Sequence, residues 1–241
     1  MNRILVLVLV FAALCFSQEA KPERTKKVRP PREHYGFYYS MGFGASYIDY
    51  SAEDVYDEDY YERSFEKVRV EAWSVPDLEF RFGRSFANLF AIYYAAGLTL
   101  FNGEGKYADV SYYRDDDDRP WNSSEVDEYL VDDDATGIQF YMGVGFIAYP
   151  FRNQNSVMNG FFFGFSSGPY GVLSFLHEEY RHGGVEVIGM ASKFEIGKDW
   201  WVSDTWSLGF SLEYMFHDAS FVDLDEAGFN KFGLKIRLTR G

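Results

Sequence analysis

The chain contains a long stretch in which apolar and small polar residues alternate. In residues 35–50, YGFYYSMGFGASYIDY, odd positions carry mostly aromatic or other apolar side chains, and even positions carry mostly glycine or serine. Side chains alternate across a β-strand, so residues 35–47 have an aromatic face and a small polar face that only Tyr38 interrupts. At about 3.3 Å per residue and a tilt near 45°, it rises about 37 Å, enough to cross a bilayer. The pattern predicts a membrane-spanning strand.

The same alternation recurs along the chain and gives eight predicted strands, an even number. They cover residues 35–50, 67–82, 88–102, 137–150, 160–176 and 185–196, with two more around 206–216 and 232–239. Polar and sometimes long loops at 51–66, 103–135, 177–184 and 218–227 alternate with three short turns. Short periplasmic turns and longer external loops are typical of outer-membrane barrels. The sequence therefore predicts an all-β fold, an eight-stranded antiparallel up-and-down transmembrane β-barrel.

Pro169 lies inside the fifth predicted strand. Proline has no backbone N–H and cannot donate a hydrogen bond to the neighbouring strand. We therefore expect a bulge or a break in the strand at this position.

The N-terminus has the layout of a secretory signal peptide. Arg3 precedes an apolar stretch, residues 4–16, and the small residues Cys15 and Ser17 lie at positions −3 and −1 from a cleavage site before Gln18. The stretch is shorter than the roughly twenty residues that a transmembrane helix needs. Cleavage would remove Cys15, the only cysteine, so we expect no disulfide. The predicted organisation is a signal peptide at 1–17, a flexible, basic, proline-rich periplasmic segment at 18–34 and the barrel at 35–241.

In strand count, alternation and loop asymmetry, residues 35–240 resemble the small eight-stranded outer-membrane barrels, such as the OmpX-type proteins and the OmpA barrel domain. The segment GKDWWVSDTWSLGFSLEY, residues 197–214, looks like a periplasmic turn that enters a strand in such proteins. The resemblance implies a location in the outer membrane of a Gram-negative bacterium, surrounded by lipid. It implies no particular activity.

Charged residues within the strands share the parity of the polar faces. Eight strands enclose a lumen just wide enough for side chains to fill, so charges in the lumen must pair. We predict an ion-pair network that plugs the barrel, formed by Arg69, Glu71, Glu79, Arg81, Lys193, Glu195, Glu213, Lys235 and Arg237. A small gated ion path, as in similar barrels with opposed Glu and Arg, is the alternative. A solute pore is not expected, because water-filled channels need about sixteen strands.

Two predicted external loops concentrate negative charge. Residues 51–66 contain seven acidic residues and one basic residue, and residues 103–135 contain twelve acidic and three basic residues, in a chain of net charge −14. Carboxylates suit divalent cations such as Ca²⁺ or Mg²⁺, but no loop has the EF-hand spacing. We expect no cofactor, and divalent cations stay an open alternative to solvated charge.

Aromatic residues among these acids favour a contact surface for a partner or a glycan. The candidates are Tyr60, Tyr61, Tyr112, Tyr113, Asp115, Asp116, Asp117, Asp118 and Trp121. The strong negative charge argues against nucleic acid or anionic lipid as the partner of this surface. We therefore expect a protein that acts in surface interaction or envelope integrity.

A lipid-modifying enzyme is the main rival, because some eight-stranded barrels modify lipid A at a histidine-containing site. His177 and Glu178 lie close in sequence to Ser174, and His217 neighbours Asp218, so the parts for acyl transfer are nominally present. A triad is defined by geometry and not by proximity in sequence, and we expect no enzyme. A soluble secreted barrel of the lipocalin type is a further alternative, and it would need apolar residues facing inward.

Overall fold

The computed structural model describes residues 34–59, 62–87, 89–113, 126–151, 153, 155–176, 185–218 and 226–240. These residues form eight antiparallel strands, each paired with the next, and the first pairs with the last to close a barrel. The strands are β1 (Gly36–Asp59), β2 (Glu62–Phe86), β3 (Phe90–Tyr113), β4 (Val126–Ala148), β5 (Phe161–Leu176), β6 (Val185–Trp201), β7 (Trp206–Asp218) and β8 (Glu226–Arg240). The predicted fold class is confirmed. The predicted signal peptide and most of the basic segment lie outside the described residues.

Outward-facing side chains form an apolar belt around the barrel. Its exposed members include Phe37, Met41, Phe43, Phe80, Phe82, Ile92, Tyr94, Leu98, Phe140, Met142, Val144, Phe194, Phe210, Leu212, Phe232, Leu234 and Ile236. Closure gives every strand a paired neighbour on both sides at the level of this belt, as a lipid environment requires. No helix among the described residues is long and apolar enough to cross a membrane.

Strands β1–β4 are longer than β5–β8 and longer than the sequence predicts. They contain 23–25 residues, against 13–17 in the other four. Much of the predicted loops 51–66 and 103–135 continues the strands, and the β3–β4 ladder runs on until Tyr112 lies opposite Val126. The loop boundaries were therefore wrong. Beyond the lipid both faces of a strand meet water, so the alternation fades while the backbone hydrogen bonds continue.

A β-bulge in β2 reverses which residues face the lumen. From Ser74 to Asp77, β2 advances three residues while β1 and β3 each advance two. The extra residue is accommodated at Val75 and Pro76. On the extracellular side of the bulge the even-numbered residues of β2 are buried, and on the periplasmic side the odd-numbered residues are buried. An unbroken alternation along β2 therefore assigns half of the strand to the wrong face.

Pro169 affects the pairing of β5 on one side only. The β5–β6 ladder continues through Pro169, which lies opposite Met190. The β4–β5 ladder lapses between Ser167 and Tyr170 and resumes in the same register. The expected interruption is thus a local gap and not a bulge, because proline lacks the N–H that would bond to β4.

Candidate functional site

The lumen holds ten buried charged side chains among the described residues. Each of these residues is at most 5% exposed. The five acids are Asp77, Glu79, Glu195, Asp199 and Glu213, and the five bases are Arg81, Lys193, Lys231, Lys235 and Arg237. Buried charges require partners, and the equal numbers let the group neutralise itself. We call these ten residues the lumen network.

Arg237 joins two acids at the periplasmic end of the lumen network. Its Nε lies 3.5 Å from Asp199 Oδ1, and its Nη1 lies 3.0 Å from Glu195 Oε1. Its Nη2 donates a hydrogen bond to Tyr38 Oη at 2.7 Å, and the guanidinium lies 4.2 Å from the centre of the Phe162 ring. These contacts replace the water that burial removes from the guanidinium.

Glu79 is the centre of the lumen network. It forms ion pairs with Arg81, Lys193 and Lys235, and the Lys235 Nζ lies 3.3 Å from Glu79 Oε2. Arg81 continues to Glu195, with 2.6 Å between its Nη1 and Glu195 Oε2. Through Arg81 and Glu195 the central group is connected to the periplasmic group in one continuous chain of charges.

Two lysines of β8 complete the extracellular side of the lumen network. Lys231 Nζ lies 2.8 Å from Asp77 Oδ2, and Lys235 Nζ lies 3.2 Å from Asp77 Oδ1 and 2.8 Å from Glu213 Oε1. Lys231 Nζ also donates a hydrogen bond to Thr99 Oγ1 at 2.8 Å. Asp77 is therefore shared by two ammonium groups, which offsets the cost of burying its charge.

Uncharged side chains close the lumen on both sides of the network. On the extracellular side they include Tyr50, Phe101, Tyr170, Val172 and Phe229, and on the periplasmic side they include Ile147, Tyr149 and Phe162. The ion pairs thus lie in a low-dielectric layer, where each charge depends on its protein partners.

His34 packs into the periplasmic mouth of the barrel. Its ring centre lies 4.3 Å from that of Tyr149 and 4.5 Å from that of Trp201, and its Nε2 lies 4.0 Å from Asp199 Oδ2. Burial, and then the positive charge of Arg237, lower the pKa of His34 to about 3. The imidazole is therefore neutral at pH 7.

We expect His34 to make the barrel less stable in mild acid. Unfolded His34 takes up a proton below about pH 6.5 and folded His34 only near pH 3, so the free energy of unfolding falls as the pH decreases across this window. The loss at pH 4.5 should be about 1–3 kcal/mol. Urea unfolding at pH 7 and pH 4.5 measures it in the parent and in His34→Phe, which keeps an aromatic ring and cannot titrate. Equal losses of stability in the parent and in His34→Phe would contradict the assignment of this acid sensitivity to His34.

Two of the nine predicted lumen residues lie elsewhere, and their assignment is corrected. Glu79, Arg81, Lys193, Glu195, Glu213, Lys235 and Arg237 lie in the lumen network. The side chains of Arg69 and Glu71 are 52% and 49% exposed on the outer face, where Arg69 Nη2 lies 2.9 Å from Glu71 Oε1. Arg69 Nε also lies 3.4 Å from Asp49 Oδ1. The physical reason is the bulge in β2, which reverses the faces between Glu71 and Glu79.

Sequence reasoning missed Asp77, Asp199 and Lys231. Asp77 directly follows the bulge, and no local signal places it inside. Asp199 and Lys231 share the parity of Glu195 and Lys235, which were assigned to the lumen. Extending β6 and β8 by a few residues in the same alternation would have found both.

The second candidate site is a four-stranded sheet that continues beyond the closed barrel. Among the described residues, the last β1–β8 pair is Glu53–Glu226 and the last β4–β5 pair is Ala135–Leu176, while the ladders between β1, β2, β3 and β4 run on. We call this sheet the extension, and it consists of residues 54–59, 62–66, 104–113 and 126–134. Its sequence contains thirteen acidic and two basic residues.

Of the predicted interaction residues, only Tyr112 and Tyr113 lie in the described part of the extension. Tyr112 and Tyr113 are the last two backbone positions of β3. Tyr60, Tyr61, residues 115–118 and Trp121 lie outside the described residues. In the part of the chain that the structure describes, no group of three or more His, Cys, Asp or Glu side chains is arranged to hold a metal ion.

The nominal acyl-transfer residues have other contacts. Tyr50 Oη donates a hydrogen bond to Ser174 Oγ. His217 Nδ1 lies 2.9 Å from the Met190 carbonyl oxygen, and its ring centre lies 5.0 Å from that of Tyr170. His177 and Glu178 lie outside the described part, and the backbone of Asp218 pairs with Met190 of β6.

A closed eight-stranded barrel with an apolar belt has the architecture of outer-membrane proteins. The protein spans the outer membrane of a Gram-negative bacterium. Its belt contacts lipid.

Several solved structures are similar to this chain, each at low sequence identity. No family model matches the chain, and no curated protein matches its sequence. The Neisserial surface protein NspA is 10% identical, over 85% of this chain and 96% of its own, with a TM-score of 0.44. Ail of Yersinia pestis, in complex with the heparin analogue sucrose octasulfate, is 11% identical over 85% and 99%, with a TM-score of 0.37. OprG of Pseudomonas aeruginosa is 10% identical over 86% and 96%, with a TM-score of 0.39.

Proposed function

We propose that the barrel is a closed scaffold and that the extension is the working surface, through which the protein contacts partners outside the cell. The observation that carries this proposal is the length of the first four strands: β1–β4 continue as a paired sheet past the last described pairs with β5 and β8. An ordered sheet held above a membrane has no role in spanning it. Function concentrates in such exterior parts when a rigid scaffold presents them.

The lumen network supports the scaffold role. Its charged groups contact one another at ion-pair distances and are closed off by uncharged layers on both sides. A continuous ion path would require water in place of these direct contacts. The contacts therefore favour a plug over a gated path.

The dimensions and charge of the extension support the interaction role. The 24 residues of β1 rise about 55 Å at a tilt near 45°, against about 30 Å for the hydrocarbon core. With thirteen acidic and two basic residues, the extension attracts positively charged partners or bridging divalent cations and repels nucleic acid.

We expect that shortening the extension abolishes surface interaction and leaves the barrel folded. In the variant, Asn-Gly turns replace residues 54–66 and 107–131, so that the pairs Glu53–Lys67 and Lys106–Asp132 become hairpin ends. Closure entropy changes only slowly with loop length, so the heat-dependent gel shift of a folded barrel should persist. Adherence of expressing bacteria to epithelial monolayers, and to one another, should fall to the level of cells without the protein.

In the matched control, Asn-Gly replaces residues 203–204, which form an exposed turn at the periplasmic end of the barrel. This variant should adhere like the parent. Unchanged adherence of the shortened variant would overturn the proposed function, and loss of its gel shift would show that the extension is needed for folding.

A further inference from the structure

Three basic side chains lie on the outer face of the barrel at its periplasmic end. They are Arg84 of β2, Lys198 of β6 and Arg240 of β8, and we call them the basic rim. Each lies over an aromatic ring, and the distances from its charged centre to the ring centre are 5.8 Å for Phe86, 5.4 Å for Trp200 and 5.9 Å for Trp206. Distances up to about 6 Å are typical of cation–π contacts, which hold the cations at the surface of the barrel.

The neighbouring strands bring no carboxylate to the basic rim. The residues directly opposite in the ladders are Phe37 and Ile92 for Arg84, Phe161 and Phe210 for Lys198, and Tyr39 and Trp206 for Arg240. All six are uncharged. Among the described residues of the turns at this end, Asp204 is the one exposed acid, so the exposed charge there is positive.

The register shows that the basic rim lies at one depth. A path that starts at Tyr39 and crosses each ladder once returns to β1 at Asp49, ten residues further along. It runs through Phe82, Tyr94, Val144, Ser167, Ser192, Phe216 and Asn230. With strands about 4.8 Å apart and about 3.3 Å per residue, this shift gives a tilt of about 40°. At that tilt the backbones of the three residues lie within about 4 Å of one another along the barrel axis.

This depth is one boundary of the apolar belt. Asp49 is the first charged residue on the outward face of β1, and its level is about 25 Å from that of Tyr39, which is the height of the apolar band in outer-membrane barrels. Among the described residues, no charged side chain faces outward between the basic rim and the level of Asp49. The basic rim therefore lies where hydrocarbon meets the lipid headgroups, and Trp200 and Trp206 are residues typical of that interface.

A cleft beside Lys198 has room for a headgroup. Its volume is about 360 Å³, and Ser156, Asn159, Lys198 and Trp200 are among the residues that line it. The Lys198 ammonium donates one hydrogen bond to the Val157 carbonyl oxygen at this cleft. An ammonium group has three donors, so two remain for a ligand.

We propose that the basic rim binds the phosphates of anionic glycerophospholipids, of the phosphatidylglycerol class, in the periplasmic leaflet of the membrane. Guanidinium and ammonium groups form charge-assisted hydrogen bonds with phosphate, and basic residues at a membrane surface attract anionic lipid. Because the basic rim and the extension lie at opposite ends of the barrel, the inference stands apart from the proposed function.

The test measures which lipid contacts the full folded chain in vesicles of phosphatidylcholine that contain a minor fraction of phosphatidylglycerol. Either lipid carries brominated acyl chains, which quench tryptophan fluorescence, and Trp200 and Trp206 report on the basic rim. Comparing the two brominated lipids within one protein gives their relative association constant. In the parent, phosphatidylglycerol should associate at least about threefold more strongly than phosphatidylcholine, and about 1 M salt should lower this preference towards one.

Lys198→Gln combined with Arg240→Gln should reduce the preference to nearly one. The exchange of Lys198→Arg with Arg240→Lys keeps both charges and should keep the preference. In the matched control, Arg69→Gln with Lys106→Gln, two cations are removed from the outer face beyond the other boundary of the belt, and the preference should stay at the parent value. The heat-dependent gel shift shows that each variant is folded.

A parent protein without preference for phosphatidylglycerol would overturn the proposal and requires no variant. A preference that persists in the folded double glutamine variant would overturn it as well. Loss of the preference in the matched control would assign it to net charge and not to the basic rim. If the double variant does not fold, the single substitutions Lys198→Gln and Arg240→Gln are measured, and parent values in both would reject the site.

Discussion

Glu79→Gln is expected to destabilise the folded barrel by about 3–5 kcal/mol. Glu79 forms ion pairs with Arg81, Lys193 and Lys235 and is 2% exposed, so the neutral amide leaves three buried cations short of one negative charge. Water cannot compensate, because uncharged layers close the lumen on both sides of the network. Equilibrium unfolding in urea, from lipid vesicles, with tryptophan fluorescence and the heat-dependent gel shift as readouts, measures the change.

Glu71→Gln is the matched control for this variant. It is the same substitution, in the same strand, at a position of the same parity, but the Glu71 side chain is 49% exposed and pairs with Arg69 on the outer face. Exposed ion pairs contribute little, so the expected cost is below about 1 kcal/mol. Equal effects of the two variants would mean that the bulge in β2 does not separate their environments.

Phe210→Arg is expected to cost about 2–4 kcal/mol, because it places a charge within the apolar belt. The Phe210 side chain faces outward, is 42% exposed, and its ring centre lies 5.7 Å from that of Trp200. In the membrane this exposed surface contacts lipid, and a guanidinium there loses its water. The same urea titration measures the change.

Thr205→Arg is the control for depth. Thr205 lies in the exposed turn before β7, outside the belt, and a charge near the interface should cost about 0–1 kcal/mol. A Phe210→Arg protein that is as stable as the Thr205→Arg protein would show that the inner and outer faces of β7 are exchanged.

The alternation of side chains was sufficient to predict the strands and most of their orientation. The outward aromatic face of β1 and the inward positions of Lys193, Glu195, Lys235 and Arg237 are local properties, because a period of two assigns each residue to a face without reference to any other strand. The same period of two assigned Arg69 and Glu71 to the lumen, although both side chains lie on the outer face. Whether a strand keeps its register past a proline depends on how its two neighbours pair with it, and the residues around Pro76 do not contain that information.

The acidic segments show a second limit. Alternation is a signal of two different environments, and it vanishes where both faces of a strand meet water, so the sequence alone predicted loops at 51–66 and 103–135. The extension depends on backbone hydrogen bonds between neighbouring strands, which any residue except proline can form. Only the ladders show how far β1–β4 continue as a paired sheet.

By itself, the sequence determined the class of fold, the number of strands, the apolar belt, the concentration of acids outside the membrane and a set of charges for the lumen. The tertiary structure decided which charges meet. Glu79 pairs with Lys193, 114 residues away, and with Lys235, 156 residues away. Such partners are brought together by the closure and register of the whole barrel, which depend on every ladder at once, whereas alternation is a property of one strand at a time.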